Sequence, residues 1–327
     1  MMKAIRIHET GSFDVLKYEA VQTPEPGRGQ VLIKVASASV NFADVMVRRG
    51  TYPFMPPLPA IPGLECSGVV ESVGEGVTGL QPGQHVVYLG DNCYAEHVVA
   101  EASSVTPIPE DLDMDEAAAV IVNYATAYHM LHTMGRVKED QTILLYAAAG
   151  GVGTAVIQLA KQVGAKVIGL TSSQEKQKYA VEQGIDYIIN YRTDDVEKRI
   201  GEITYGKGVN LVLNSVAGDT FQRDFQVLAP FGNLIWFGFA AGPPEGSLAE
   251  QLGAHFGKSV GIRTFVIYTV VQSAPDVMTR SLDHLFTYLA EKKIRPHIQE
   301  RIALSDAARA HELLETGGVT GKLILKP

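Results

Sequence analysis

From Met2 to about Val120, apolar and polar positions alternate over short runs (Lys3 to His8, Val31 to Ser39, Gly68 to Val73, His85 to Leu89, Tyr94 to Ala100). Turn residues separate them at Pro26-Gly27, Gly74 to Gly79 and Pro82-Gly83. Period-two alternation with that punctuation predicts a compact β domain, barrel-like in arrangement. One short helix interrupts it: Asn41 to Arg49 (NFADVMVRR) carries apolar Phe42, Val45 and Met46 and stops at Gly50. The Pro-rich run Tyr52 to Pro62 is too stiff for a helix or a central strand. It predicts a loop in which Tyr52 and Phe54 make an apolar wall, or a lid over the domain's own core.

After that the period changes. Asp115 to Ile121 and Tyr124 to Met134 predict helices, followed by strands at Thr142 to Ala147, Lys166 to Thr171, Asp186 to Ile189, Val209 to Leu213, Phe231 to Phe237 and Val260 to Val266. Helices are expected between them at Val152 to Val163, Glu175 to Gln183, Asp194 to Thr204 and Phe221 to Leu228. Strands alternating with helices in this way predict an α/β fold with a doubly wound parallel sheet. The apolar run Arg263 to Val271 reads as a strand, either pairing across a two-fold axis or lying in the interior of one protomer. A helix at Val277 to Lys292, the run Pro296 to Leu304, a helix at Ala307 to Glu315 capped at Ser305 and a strand at Lys322 to Leu325 close the chain. This tail has the texture of the beginning, so the expected domains are 1–122 with 270–327, and 123–269.

The stretch TILLYAAAGGVG, Thr142 to Gly153, combines a geometry with a chemistry. A buried strand runs into Ala148, Gly150 and Gly153 at the three positions of a G-x-G-x-x-G turn, and a helix follows. Small residues there let backbone N–H groups approach a pyrophosphate and deliver it to the positive end of that helix. A tight strand-to-helix connection with no ligand is the bland alternative. At the end of the second strand, ~20 residues on, an NAD site would place an acid for the ribose 2′-hydroxyl. Here stand Thr171, Ser172 and Ser173, with Lys176 one turn later, so a 2′-phosphate is favoured and NADPH is the expected cofactor. Ser172 or Ser173 also serves as a helix cap in the plainer reading.

The 327 residues, 46% hydrophobic and 20% charged, describe an ordinary globular chain of two domains. A net charge of −8 without a basic run argues against nucleic acid and for a small-molecule partner. The start lacks a signal-peptide core and no apolar run approaches ~20 residues, so no membrane role and a cytoplasmic location are expected. Cys66 and Cys93 cannot form a four-cysteine zinc site. His129 and His132 share a helix face, but spacing supplies no third ligand, so no metal is assigned.

Taken together, AAAGGVG after a strand, NFAD at Asn41, the element Pro62, Gly63, Glu65, Ser67 and Gly68, and the closing GKLILKP resemble the medium-chain dehydrogenase/reductase superfamily. Within it the chain is similar, over nearly its whole length, to the zinc-free quinone oxidoreductases related to zeta-crystallin. The resemblance implies a GroES-like catalytic domain built from both termini, a central Rossmann domain, NADPH and a homodimer. It also implies that Asn41, with Asp44 and Tyr52, lies near the nicotinamide and substrate, and that Thr126 contacts the carboxamide. Gly150, Gly151 and Val152 would hold the pyrophosphate, and Ser172, Lys176 and Tyr191 the 2′-phosphate and adenosine. Asn214 and Phe237-Gly238-Phe239 would stand at the carboxyl edge of the sheet.

The zinc enzymes of the superfamily carry Cys where this chain has Asn41 and His where it has Leu64, and Glu65 alone cannot hold a catalytic metal. Without such a Lewis acid, oxidation of simple alcohols loses its main help, whereas a quinone or enone spreads the incoming charge onto its own oxygen. Tyr146, Asn214 and Phe239 depart from the family pattern. For plain residues the alternatives are an N-cap for Asn41, a surface acid for Asp44 and a strand-end tyrosine for Tyr191. The expected function is NADPH-dependent reduction of a quinone or an activated α,β-unsaturated carbonyl, with Tyr52 or solvent as proton donor. Alternatives are an enoyl- or haloacrylate-type double-bond reductase and a crystallin-like NADPH- or RNA-binding protein.

Overall fold

The computed structural model describes residues 1–327 and divides into two compact units, 1–122 with 282–327, and 123–281. Along the chain, strands β1 (Met2–Arg6), β2 (Lys17–Val21) and β3 (Gln30–Val40) lead to helix α1 (Phe42–Arg49). Strands β4 (Glu65–Val73), β5 (His85–Leu89), β6 (His97–Glu101) and β7 (Val105–Pro107) and helix α2 (Met114–Tyr128) follow. Helix α1 starts where Asp44 reaches back to accept the Asn41 N–H at 2.8 Å, and it stops because Gly50 takes φ +76°, where a side chain would be strained. The two helices expected from Asp115 to Met134 are one: α2 passes into a π turn, His129–Met134, closed at Gly135.

The second unit contains β8 (Thr142–Leu145), α3 (Gly151–Gln162), β9 (Lys166–Thr171), α4 (Gln174–Glu182), β10 (Tyr187–Asn190) and α5 (Val196–Ile203). It continues with β11 (Val209–Asn214), α6 (Phe221–Val227), β12 (Leu228–Trp236), α7 (Leu248–Ala254), β13 (Gly261–Thr264) and α8 (Ile267–Ser273). The chain ends with α9 (Pro275–Ala290), β14 (Ile298–Ala303), α10 (Ala307–Glu315) and β15 (Lys322–Lys326). Here the strand expected over Arg263 to Val271 is corrected. Only its first residues are extended, and Ile267, Val270 and Val271 turn one apolar stripe inward at helical spacing despite their β-branched character.

Within the second unit all six strands are parallel, in the order β10-β9-β8-β11-β12-β13, so the sense in which successive strands are added to the sheet reverses between β8 and β11. That doubly wound order places the loop after β8 at the switch point, where such sheets leave a crevice. In the first unit seven strands run β14-β15-β3-β4-β5-β7, with β6 also on β3. The last strand pairs with β3 at Leu323↔Val40, so a residue near 322 lands beside one near 41. The core of this unit gathers Ile5, Ile33, Val70, Val98, Leu323 and Leu325. That of the second gathers Leu144, Ile168, Val212, Phe225 and Leu234. Residues 270–281 belong to the second unit, where Ser281 Oγ lies 3.0 Å from the buried His129 Nε2.

Candidate active site

In the second unit, β8 stops at Leu145 because the backbone turns at Ala147, whose φ is +49°. Ala148 sits against Gly169 of β9: a Cβ on Gly169 would come within 2.7 Å of the Ala148 methyl. At Gly153 a Cβ would fall 2.5 Å from the carbonyl oxygens of both Ala147 and Ala148, so only hydrogen fits. Thr154 then locks the first helical turn, donating to the Gly150 carbonyl at 3.0 Å and meeting Tyr179 Oη at 2.8 Å. Gly150, Gly151 and Val152 stay half-buried at the N-terminus of α3, where helix N–H groups lack intrahelical partners and the dipole is positive. That arrangement fits an anion such as a pyrophosphate.

The residues after β9 continue it. Ser173, not Ser172, caps α4, accepting the Lys176 N–H at 3.3 Å, and Ser172 is half-buried beside it. Thr171 Oγ1 is buried with no hydrogen-bond partner, a polar atom left over at the strand end. Burial pushes the Lys176 ammonium pKa down, and the nearby Arg192 guanidinium pushes it further. Two cations that repel one another across a partly buried spot favour a shared anion. Tyr191, half-exposed, is held over the same strand end by its N–H to the Thr171 carbonyl at 3.1 Å. These residues fit a phosphorylated adenosine, and Arg192 is a member that sequence reasoning missed, although it directly follows Tyr191.

Asn214 needs correction as a ligand contact through its side chain. Its Oδ1 accepts the N–H groups of Val216 and Ala217 at 2.7 and 2.9 Å, and its Nδ2 donates to Thr220 Oγ1 and to Asp224. All its polar capacity goes to the turn after β11. Asp224 also receives the Tyr146 hydroxyl at 2.6 Å, and Arg223 donates to that hydroxyl at 2.7 Å. Burial raises the Asp224 pKa to about 6. The two departures at Tyr146 and Asn214 are thus partners in one buried network. Phe237 donates its N–H to the Asn214 carbonyl at 2.9 Å, Gly238 passes too close to Ser215 for a Cβ, and Phe239 lies edge-on to Trp236. Thr126 is buried on α2. His129 is a core residue: Thr133 and Ser281 take its two ring nitrogens, and burial, then the His132 charge, lowers its pKa to about 4.

The first unit brings Asn41 and Asp44 into one buried cluster. Asn41 Nδ2 donates to Glu65 Oε1 at 2.8 Å, and Lys322 Nζ donates to Asn41 Oδ1 at 2.6 Å and to Glu65 Oε1 at 2.8 Å. The other Glu65 oxygen accepts the Val122 N–H at 2.7 Å. Asp44 is no surface acid. It is fully buried, its Oδ2 accepts from Asn41 N and Tyr94 Oη, and its Oδ1 has no partner. Burial outweighs those bonds and raises its pKa to about 7. Tyr94 Oη also lies 3.3 Å from His311 Nε2, whose pKa burial and then Arg48 press down to about 3. Asp44 borders a cleft of about 680 Å³ that Tyr52, Phe54, Leu64 and the prolines of 56–62 also line. Tyr52 and Phe54 pack edge to face at 5.8 Å, so the expected apolar wall exists. Sequence reasoning did not find Lys322, Tyr94 or His311, because 281 residues separate Lys322 from Asn41 and no local pattern signals such a partner.

Residues 27–110 match the family model described as alcohol dehydrogenase GroES-like domain, and residues 151–283 match that described as zinc-binding dehydrogenase. The chain is similar to quinone oxidoreductase of Salmonella typhimurium, 33% identical with 100% of both chains covered. It is also 33% identical to a stretch of the phenolphthiocerol/phthiocerol polyketide synthase of Mycobacterium tuberculosis; there 98% of this chain covers 14% of the relative's length. Among solved structures, Escherichia coli quinone oxidoreductase complexed with NADPH superposes with a TM-score of 0.94 at 31% identity, covering 99% of this chain and 100% of that one. The zinc of the second description does not fit the residues at Asn41, Leu64 and Glu65. Their donor set is one carboxamide and one carboxylate, and an ammonium is already bonded to both. No group of three or more His, Cys, Asp or Glu side chains is placed to hold a metal, and no helix is long and apolar enough to cross a membrane.

Proposed function

Because the chain belongs to the medium-chain dehydrogenase/reductase superfamily, in its quinone oxidoreductase-like family, we propose that it is an NADPH-dependent reductase of quinones and activated α,β-unsaturated carbonyls. The observation that carries this reading is the pairing of a small-residue turn at the N-terminus of α3, Gly150 to Gly153, with two cations, Lys176 and Arg192, past the second strand. When bound, NADPH supplies a hydride to an electron-poor carbon, and a proton completes the product. Gly150, Gly151 and Val152 hold the pyrophosphate, Ser172, Lys176, Arg192 and Tyr191 the phosphorylated adenosine, and Thr126 the carboxamide. Phe237 and Gly238 complete the site through their backbone.

On the acceptor side, the cleft wall of Tyr52, Phe54 and prolines receives a flat apolar ring. The Asn41 carboxamide and Tyr52 hydroxyl donate hydrogen bonds to the oxygen on which charge develops, where fixed donors give most of their help. Asp44, whose pKa burial raises to about 7, carries a proton below neutral pH and there adds a proton-bearing group rather than a repelling carboxylate. Zinc takes part in no step. A homodimer belongs to the same proposal: β13 is an edge strand bonded only to β12, and its free edge offers a pairing surface. Light scattering reads that state directly.

Turnover is tested by following the absorbance of reduced nicotinamide against a quinone panel and an enone panel; tight NADPH binding with neither reaction would refute the reductase. For the cofactor, Lys176→Glu is expected to weaken NADPH roughly 10- to 100-fold, the worth of one charged hydrogen bond, while NADH changes little. Equal losses for both nucleotides in a fluorescence titration would remove Lys176 from the phosphate site.

A further inference from the structure

The triad of Lys322, Glu65 and Asn41 is nearly closed to solvent, at 4%, 0% and 8% exposure. An ammonium only donates and an ionised carboxylate only accepts, so the two leave the carboxamide between them a single orientation, Oδ1 to Lys322 and Nδ2 to Glu65. Turning the amide over would set oxygen against oxygen and nitrogen against nitrogen. Glu65 itself cannot swing, because Val122 N–H holds its second oxygen. One Asn41 Nδ2 proton is spent on Glu65, and the other is thereby fixed in direction as a donor. Capping α1 by itself requires neither Lys322 nor Glu65, since a capping box needs only Asn41 and Asp44, whose carboxylate accepts the Asn41 N–H.

We propose that Lys322 is a positioning residue for reduction: with Glu65 it locks the Asn41 carboxamide so that its remaining N–H is a preset donor to the acceptor's oxygen. The inference rests on the reductase reading for its chemistry, while the lock itself is a property of the resting protein. Lys322 acts through Asn41 and moves no proton.

The full chain is compared with Lys322→Met and with Lys322→Met/Glu65→Gln. The single variant strands a buried carboxylate and is expected to melt lower. In the double variant no charge is stranded, but the Val122 N–H holds the glutamine Oε1, so its Nε2 faces Asn41 and draws the Asn41 Oδ1 toward it, turning the amide away from its parental orientation. This variant is expected to melt close to the parent while kcat falls roughly 10- to 100-fold, the scale of a misplaced catalytic group, with KM for NADPH unchanged. Independently of turnover, the Asn41 side-chain NH2 signals in an amide-nitrogen correlation spectrum, assigned by their loss in Asn41→Asp, are expected to shift and broaden in the double variant. A double variant with the parent's kcat, or with unchanged Asn41 signals, overturns the proposal. Should the double variant fail to fold, Lys322→Ala with added ethylammonium replaces it. Recovery of both melting temperature and kcat supports the lock, and recovery of melting temperature alone reduces Lys322 to a structural charge. A parent protein that turns over no acceptor sinks the reductase reading alone, because the amide signals still report on the lock.

Discussion

The cradle of the second unit and the charged cluster of the first are held by different means. Around Ala147 to Gly153 the geometry is made of backbone, and what matters is the absence of side-chain atoms: a single methyl at Gly153 would meet two carbonyl oxygens. Around Asn41 the geometry is made of long polar side chains drawn from four separated segments, at 41–44, 65, 94 and 311–322, each needing the others to be buried at all. A site of the first kind is robust to distant change and intolerant of local bulk. One of the second kind tolerates bulk less sharply but fails when any single charge is removed.

Substitutions sharpen this contrast. The largest effect is expected at Lys322→Met, where stranding Glu65 should cost about 3–5 kcal/mol in urea unfolding, against near-parental stability when Glu65→Gln is added. If both variants were equally unstable, charge pairing would not be what holds the cluster. Next comes Gly153→Ala, expected to cost about 1–3 kcal/mol by forcing the turn open, and to weaken NADPH in titration. Gly150→Ala is its control for stability alone, since a Cβ there approaches only the Ala147 oxygen, at 3.3 Å, and should cost much less in unfolding.

A smaller effect, confined to the charged cluster of the first unit, depends on pH. The Asp44 pKa stands at about 7 in the fold against an ordinary 3.8, so between those values the native state keeps a proton that the unfolded chain has lost. Its contribution is therefore fully present below about pH 4 and lost as pH rises through about 7. His311 has the opposite sign: with its pKa lowered to about 3, folding resists the proton that the unfolded chain accepts below about 6.5, and stability rises with pH over that window. Asp44→Asn keeps an acceptor for Asn41 N and Tyr94 Oη but cannot ionise. Relative to the parent, it should gain stability steadily from about pH 4 to about pH 7 in urea titrations, and a flat difference would show that Asp44 is charged throughout.

The same contrast explains what could be read from the chain. The turn at Ala148, Gly150 and Gly153, the strand ending at Thr171 and the helix starting at Gln174 are local consequences of small residues, a β-branched run and a serine cap, and they are legible within a dozen neighbours. So is the split of the first unit between both termini, since the strand-like GKLILKP repeats the texture of residues 31–39. Lys322 is visible as a residue of that closing motif, but its job is not, because only the Leu323↔Val40 pairing brings it to Asn41. Asn214 misleads for a related reason: position at a strand's carboxyl end says where a side chain starts, and not that four neighbours have already claimed its polar atoms. The strand expected through Val271 fails because β-branched composition outweighs, on paper, the helical spacing of Ile267, Val270 and Val271.

The central claim, carbon-directed reduction from a nucleotide held by this cradle, is tested most directly by isotope transfer. The protein is given an enone and NADPH deuterated at the transferred position of its nicotinamide, and the product is analysed by mass spectrometry and NMR. One deuterium at the carbon β to the carbonyl is the result expected. Product formed without the label, or no product while NADPH remains tightly bound, would contradict it.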